Sequence, residues 1–292
     1  MACDNWPESP FRGRCYVSYL NVATEQLETR WSGDGGVTWS GPAITSAGVA
    51  RPWVANGAMP VLRPDGSVVV GFLAATNQVG RSYIGSTLSK DGGVTFSSVQ
   101  RIADLAGRTR AVVNVRTLPL PSLDADSSGR IYAAWSDCRF FPGCAALDVV
   151  FASSDDGVTW TAPTRVPARN GNDRTDVFLP ALAVDAETRR LAITYYTLRQ
   201  DQCEPLECLG LNVGIIQSPD GGATWTRPQR LNAEPMRLTW HADADAGRFV
   251  GDYVSTSWVS GRPVPVFTLA TAPRNADSLR QAIFAGVRIR AS

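Results

Sequence analysis

The chain has 292 residues, a formal net charge of +1 and 19% charged residues, so it can bury a large core as one unit or as two smaller domains. Its positive charge is almost all arginine, Lys90 being the only lysine, and no basic field or acidic tail points to nucleic acid or a basic partner. No run of about 18 apolar residues could span a bilayer, and the polar start Met1-Ala2-Cys3-Asp4 carries no signal peptide, which leaves a cytoplasmic chain or one whose export signal has been removed.

Along the chain, short strand-like runs alternate with polar turns. QLETRWS (26–32) leads into the octet SGDGGVTW, which begins at Ser32. MPVLRPDGSVVVGFLAA (59–75) reads as strand, turn and strand. SYIGSTLS (82–89) leads into a second octet, SKDGGVTF at Ser89, and SSVQRIA (97–103) opens the next strand. The pattern returns in LPSLDADSSGRIYAAWS (120–136) and LDVVFASS (147–154), with the octet SSDDGVTW at Ser153 and APTRVPA (162–168) after it. It returns again in PALAVDAETRRLAITYYT (180–197) and LNVGIIQS (211–218), with SPDGGATW at Ser218. Residues 246–290 supply three more strands and no octet, and no amphipathic helix is visible anywhere.

Ser, x, Asp, x, Gly, x, Thr and an aromatic recur in all four octets, about 60 residues apart. A repeat of this period with four short strands per unit reads as a blade of an antiparallel β-propeller. The octet is then the turn between third and fourth strands. Its Asp accepts backbone N–H groups, its Gly supplies a left-handed conformation, and its aromatic tucks between sheets. A calcium loop would need further alternating oxygen ligands and a distal Glu, so neither a metal nor a cofactor is expected. The six cysteines fall into the local pairs Cys3/Cys15, Cys138/Cys144 and Cys203/Cys208. Three disulfides and an oxidising compartment are expected from them, with free thiols as the alternative.

Ser-x-Asp-x-Gly-x-Thr-Trp resembles the Asp-box of the sialidase (neuraminidase) superfamily. CDNWPESPFRGRCYVSY, RTLPLPSLDADSSGRIYAAWSDCR, GRFVGDYVSTSW and VPVFTLA resemble stretches of secreted bacterial sialidase-like, exo-α-sialidase-type proteins. The resemblance covers essentially all of residues 1–292. It implies an all-β, sialidase-like β-propeller of the six-bladed type, about five blades of which are visible here. It implies a single domain, N-terminally incomplete, secreted or periplasmic and monomeric, that meets a glycan or sialoglycoconjugate at the centre of one face. The Phe/Tyr-Arg-Ile-Pro stretch that gives sialidases their first clamp arginine has no counterpart, since Phe11-Arg12 continues as Gly-Arg.

Blade topology places the octets on one face and puts the starts of the first strands at the tunnel mouth on the other. Arg51, Asn56, Arg116, Arg174, Asp176, Asp252 and Tyr253 fall at those starts. Asp137, Arg139, Tyr195, Tyr196 and Arg199 end second strands or open the loops after them, on the same side. The resemblance then implies Arg51, Arg116 and Arg139 as the clamp on a sugar carboxylate. It implies Tyr253 as nucleophile, which spares an anionic substrate a charged attacker, and Asp137, Asp176 or Asp252 for proton transfer. Competing expectations are that Arg116 or Arg139 bridges aspartates of adjacent blades, and that Asp252 and Tyr253 pack within a strand. His241 is expected at the surface, and Trp53 and Trp258 are candidates for stacking on a sugar. A glycosidase of terminal acidic sugars, a non-catalytic glycan- or protein-binding propeller, and a polysaccharide lyase all remain open.

Overall fold

The computed structural model describes residues 1–49, 53–76, 78, 81–107, 115–169, 174–200, 203–204, 207–244, 247–275 and 278–286. The strand-like runs of the sequence are strands, and they form antiparallel meanders. The first sheet is β1 (Ala2–Cys3), β2 (Cys15–Asn21), β3 (Gln26–Ser32) and β4 (Ala43–Ile44), in that order. The second is β5 (Val54–Leu62), β6 (Val68–Ala75), β7 (Tyr83–Ser89) and β8 (Gln100–Asp104). The third is β9 (Ser122–Ala125), β10 (Ile131–Asp137), β11 (Asp148–Ser154) and β12 (Thr164–Arg165). In the fourth, β13 (Thr175–Asp185) pairs with β14 (Arg190–Arg199), β15 (Cys203–Glu204) with the start of β16 (Glu207–Ser218), and β14 with β16. Both β17 (Gln229–Arg230) and β18 (Met236–Arg237) also pair with β16.

The last stretch supplies the three strands expected of it, β21 (Ser255–Val259), β22 (Arg262–Ala270) and β23 (Gln281–Ala285), and GRFVGDYVSTSW also holds β20 (Gly247–Phe249), which pairs with β19 (Ala242–Ala244). Gly251, at φ +108°, breaks the run where Val250 is fully buried. A left-handed turn there re-aims the chain before β21.

The chain divides into two compact units. The first is 1–105 with 120–133 and 152–164, and the second is 106–119 with 134–151 and 165–292. In the first, Tyr16, Leu62, Val68 and Val70 gather Trp6, Trp31 and Phe96 into one cluster, and Leu27, Val49, Phe72 and Tyr83 form another. In the second, Phe178, Tyr196, Leu198, Val213, Ile215, Met236 and Phe267 form the centre of a larger core. There the rings of Phe178 and Tyr196 stack at 5.9 Å. Helical structure among the described residues is confined to short 3-10 turns such as Pro142–Cys144 and Leu238–Trp240.

Each octet does join a third strand to a fourth. In the first, Ser32 Oγ donates to Asp34 Oδ1 at 2.7 Å and accepts from Gly36 N–H at 2.8 Å, while Thr38 donates both N–H and O–H to Asp34. Ser89, Asp91, Gly93 and Thr95 repeat this, as do Ser218, Asp220, Gly222 and Thr224. The third octet is shifted by one residue. Ser154 and Asp156, not Ser153 and Asp155, make the turn: Gly157 N–H donates to Ser154 Oγ at 2.9 Å and Thr159 N–H to Asp156 Oδ1 at 2.6 Å. Asp155 is left outside the turn and pairs with Arg130 at 3.0 Å. The aromatics do not all tuck in either. Trp225 packs edge-on against Phe151, but Trp39 is 38% exposed and its indole N–H donates to Gly36 of its own turn.

Cys3–Cys15 and Cys138–Cys144 are disulfide-bonded. Cys203 and Cys208 stand directly opposite each other in the β15–β16 pairing, and their side chains lie outside the described residues. No helix among the described residues is long and apolar enough to cross a membrane.

Candidate functional site

Six of the seven candidate residues, Arg116, Asp137, Arg139, Asp176, Asp252 and Tyr253, belong to the second unit. The seventh, Arg51, lies outside the described residues.

Arg116 is placed by backbone pairing. Val115 bridges Arg248 in β20 in parallel, and the Arg116 N–H donates to the Arg248 carbonyl at 2.9 Å. That holds Arg116 beside the turn that leaves β20. Its guanidinium forks onto Asp252, Nε to Oδ1 at 2.9 Å and Nη2 to Oδ2 at 3.0 Å. Both side chains keep about a third of their surface open to solvent (32% and 27%). A two-point fork of this kind fixes orientation as well as distance. Tyr253 follows at once and is 71% exposed. What desolvation it has, and then the negative charge on Asp252, push its phenol above the ordinary value. A nucleophilic tyrosine needs the opposite shift or an adjacent base.

Asp137 and Arg139 form a second, local pair. Asp137 ends β10 with its side chain closed off from solvent, and accepts the Arg139 backbone N–H at 2.9 Å and Nε at 3.0 Å, with Nη2 bound to the same carboxylate. Between them, Cys138 is bonded to Cys144, which stiffens the loop after β10. Asp176 is fully buried, and its Oδ1 accepts the Leu147 N–H at 2.8 Å, tying β13 to the approach of β11.

Other candidates resolve into structure. Tyr196 is fully buried; its hydroxyl donates to the Thr268 carbonyl and accepts the Thr268 N–H, both at 2.9 Å, and burial raises it to about 12. Asn56 Oδ1 accepts the N–H of Gly57 at 2.7 Å. Trp258 donates its indole N–H to the Ala183 carbonyl and carries the Arg190 guanidinium 4.8 Å above its ring. Trp53 donates to the Arg81 carbonyl at 2.7 Å. His241 is not a surface residue. It is 0% exposed, and burial lowers its pKa to about 4, so the ring is neutral across the physiological range. Sequence reading also passed over a buried charge cluster, in which Asp148 Oδ1 accepts from Arg169 Nε at 2.8 Å and from Arg165 Nη2 at 3.2 Å. Residues this far apart carried no motif that could have revealed it. Among the described residues no cluster of His, Cys, Asp and Glu is arranged to hold a metal ion.

Sequence comparison matches no family model and no curated protein. Structural comparison finds similar folds. An α-L-arabinanase of Penicillium chrysogenum, solved with arabinobiose, aligns at TM-score 0.57 and 14% identity, over 89% of this chain and 72% of that one. The NanB sialidase of Streptococcus pneumoniae, solved as a single-residue variant, aligns at TM-score 0.56 and 10% identity, over 96% of this chain and 57% of that one. A PL25 ulvan lyase bound to a sulfated GlcA–Rha fragment aligns at TM-score 0.53 and 12% identity, over 94% and 66%. At these identities the likeness establishes fold: the four-stranded meanders are blades of an all-β propeller of the sialidase-like type.

Proposed function

We propose that the protein is a secreted carbohydrate-active enzyme that hydrolyses a terminal acidic sugar, in the manner of an exo-α-sialidase. The observation that carries this reading is the Arg116–Asp252 fork with the exposed Tyr253 at its edge. A guanidinium and a carboxylate pair there, and the next residue carries a phenol that feels the Asp252 charge, on a fold whose solved relatives include glycoside hydrolases and a sialidase. The two disulfides suit an oxidising compartment outside the cytoplasm.

The fork suggests how the groups work in order. A substrate carboxylate competes with Asp252 for Arg116, since both present the same two oxygens to a guanidinium. Its arrival releases Asp252 beside Tyr253. Freed from the fork, Asp252 takes the phenol proton as the Tyr253 oxygen bonds to the anomeric carbon. The glycosidic C–O bond breaks, and the leaving oxygen is protonated by an acid, for which Asp137 is the candidate. Water then hydrolyses the tyrosyl–sugar bond. Coupling the base to substrate arrival fits the raised phenol of the resting site. Asp137 and Asp176 are alike closed off from solvent, but Asp137 is held by a side chain, that of Arg139, and Asp176 by the Leu147 backbone N–H, which makes Asp176 the anchor.

A second reading, a glycan-binding propeller without turnover, is favoured by the same resting geometry: the Asp137 carboxylate is bound by Arg139 and the Asp252 carboxylate by Arg116. The two readings separate on a panel of fluorogenic substrates. The enzyme reading expects phenol release from an α-sialoside, and little from α-L-arabinofuranoside or neutral hexosides. Turnover of the arabinofuranoside alone would overturn the acidic-sugar assignment, and a folded chain inert to every member of the panel would leave the binding reading.

A further inference from the structure

The two faces of the fourth sheet differ in chemistry. Tyr196, Leu198, Val213 and Ile215 point one way, into the core. Tyr195, Thr197 and Arg199 alternate with them on β14 and point the other way. Register carries this polar face across the sheet: Thr197 lies opposite Asn212, Tyr195 opposite Gly214, and Gly214 opposite Arg230. With Arg169 and Gln229 these side chains line a cavity of about 230 Å³, below the roughly 300 Å³ at which drug-sized sites begin.

Three features mark it as a built site. Its lining includes Arg169, Arg199 and Arg230 and, among the described residues, no Asp or Glu. Arg169 is engaged by Asp148, which it shares with Arg165. Second, the Tyr195 ring lies directly on Gly214, where an added Cβ would come within 2.6 Å of Cε2 and 3.0 Å of the hydroxyl. The glycine makes room for the ring. Third, Tyr195 lines the cavity with its ring buried and its hydroxyl reached from the cavity. A ligand oxygen there would take the place of water on that hydroxyl. Burial alone pushes this phenol far up, so it stays a proton donor at every physiological pH.

We propose that this cavity binds an acidic sugar of monosaccharide size, its carboxylate facing Arg199 and Arg230 and one of its oxygens accepting the Tyr195 proton. The Thr197 hydroxyl and the Gln229 amide are at hand for the remaining hydroxyls. None of the lining residues belongs to the Arg116–Asp252–Tyr253 cluster, so the site stands whether or not the protein hydrolyses a glycoside.

The test is calorimetric titration of the full chain with free glucuronate and with glucose at constant ionic strength. Glucuronate is expected to bind at least about tenfold more tightly than glucose, since hydrogen bonds to a charged group are worth about 1.5–3 kcal/mol. Tyr195→Phe keeps the ring on Gly214 and removes only the hydroxyl, and should weaken glucuronate roughly fivefold. Arg230→Gln should weaken it about tenfold. Arg101→Gln, at an exposed arginine outside both clusters, should leave it unchanged. Equal binding of the two sugars, no binding by the wild type, binding indifferent to both Tyr195→Phe and Arg230→Gln, or binding lost in Arg101→Gln would each overturn the proposal.

Discussion

Arg116 and Asp252 are 136 residues apart in sequence, yet the second unit brings them into a two-bond fork. Their candidacy was legible, because both fall where first strands begin. Their pairing was not, because the Val115–Arg248 bridge that aligns them is an isolated contact with no local signature. The pair is of the kind that the bridging expectation for Arg116 describes. Asp137 and Arg139 are separated by one residue, and that pairing was open to sequence reading. His241 was misread because a single polar ring beside Trp240 gives no hint of burial. Since the Arg116–Asp252 pair is about one-third exposed, its coupling should be about 1 kcal/mol. A double-mutant cycle with Arg116→Gln and Asp252→Asn, read by urea unfolding, measures it. Additive losses would mean that the fork does not persist in solution.

At the scale of the element, the octets explain why four strand pairs close at the same kind of corner. Their aspartates accept N–H and O–H donors within the turn, and the shifts follow. Thr159 and Val158 N–H groups hold Asp156 at about 2; at Asp91 partial burial opposes the shift, but donations from Thr95 and Ser89 outweigh it and hold that carboxyl at about 2 as well. Because these folded values lie below the ordinary 3.8, the stabilisation is complete above that value and is lost as pH falls toward 2. Thermal melts should therefore drop across that interval in the wild type and drop less steeply in Asp91→Asn. The one-residue slip in the third octet makes a sharper forecast. Asp156→Ala should destabilise the chain by about 1 kcal/mol, and Asp155→Ala, which loses only a surface pair with Arg130, by a few tenths. The reverse order would restore the register read from sequence, in which Ser153 and Asp155 fit the repeat and Ser154 and Asp156 stand one residue too close to Gly157.

At the scale of the molecule, the fold was the most legible property of all. Period, strand runs and turn chemistry agree with one another over almost 300 residues, which is what lets local signals add up to an architecture. Activity was far less legible, since propellers of this type carry unrelated chemistries, and the decisive pairings join distant segments. The chain also carries covalent support. The Cys3–Cys15 bond closes a loop of 12 residues across β1 and β2, and replacing both cysteines by serine should lower stability by about 3 kcal/mol, measured as a fall in the urea midpoint. No change would mean that the pairing of β1 with β2 does not depend on the bond.

The most direct test of the functional account is kcat/KM for a fluorogenic α-sialoside in the wild type, Arg116→Gln, Asp252→Asn and Tyr253→Phe. If the fork and its neighbouring phenol do the chemistry, each variant should lose about a hundredfold or more while keeping its fold. Wild-type rates in all three variants would place catalysis elsewhere on the molecule and contradict the account.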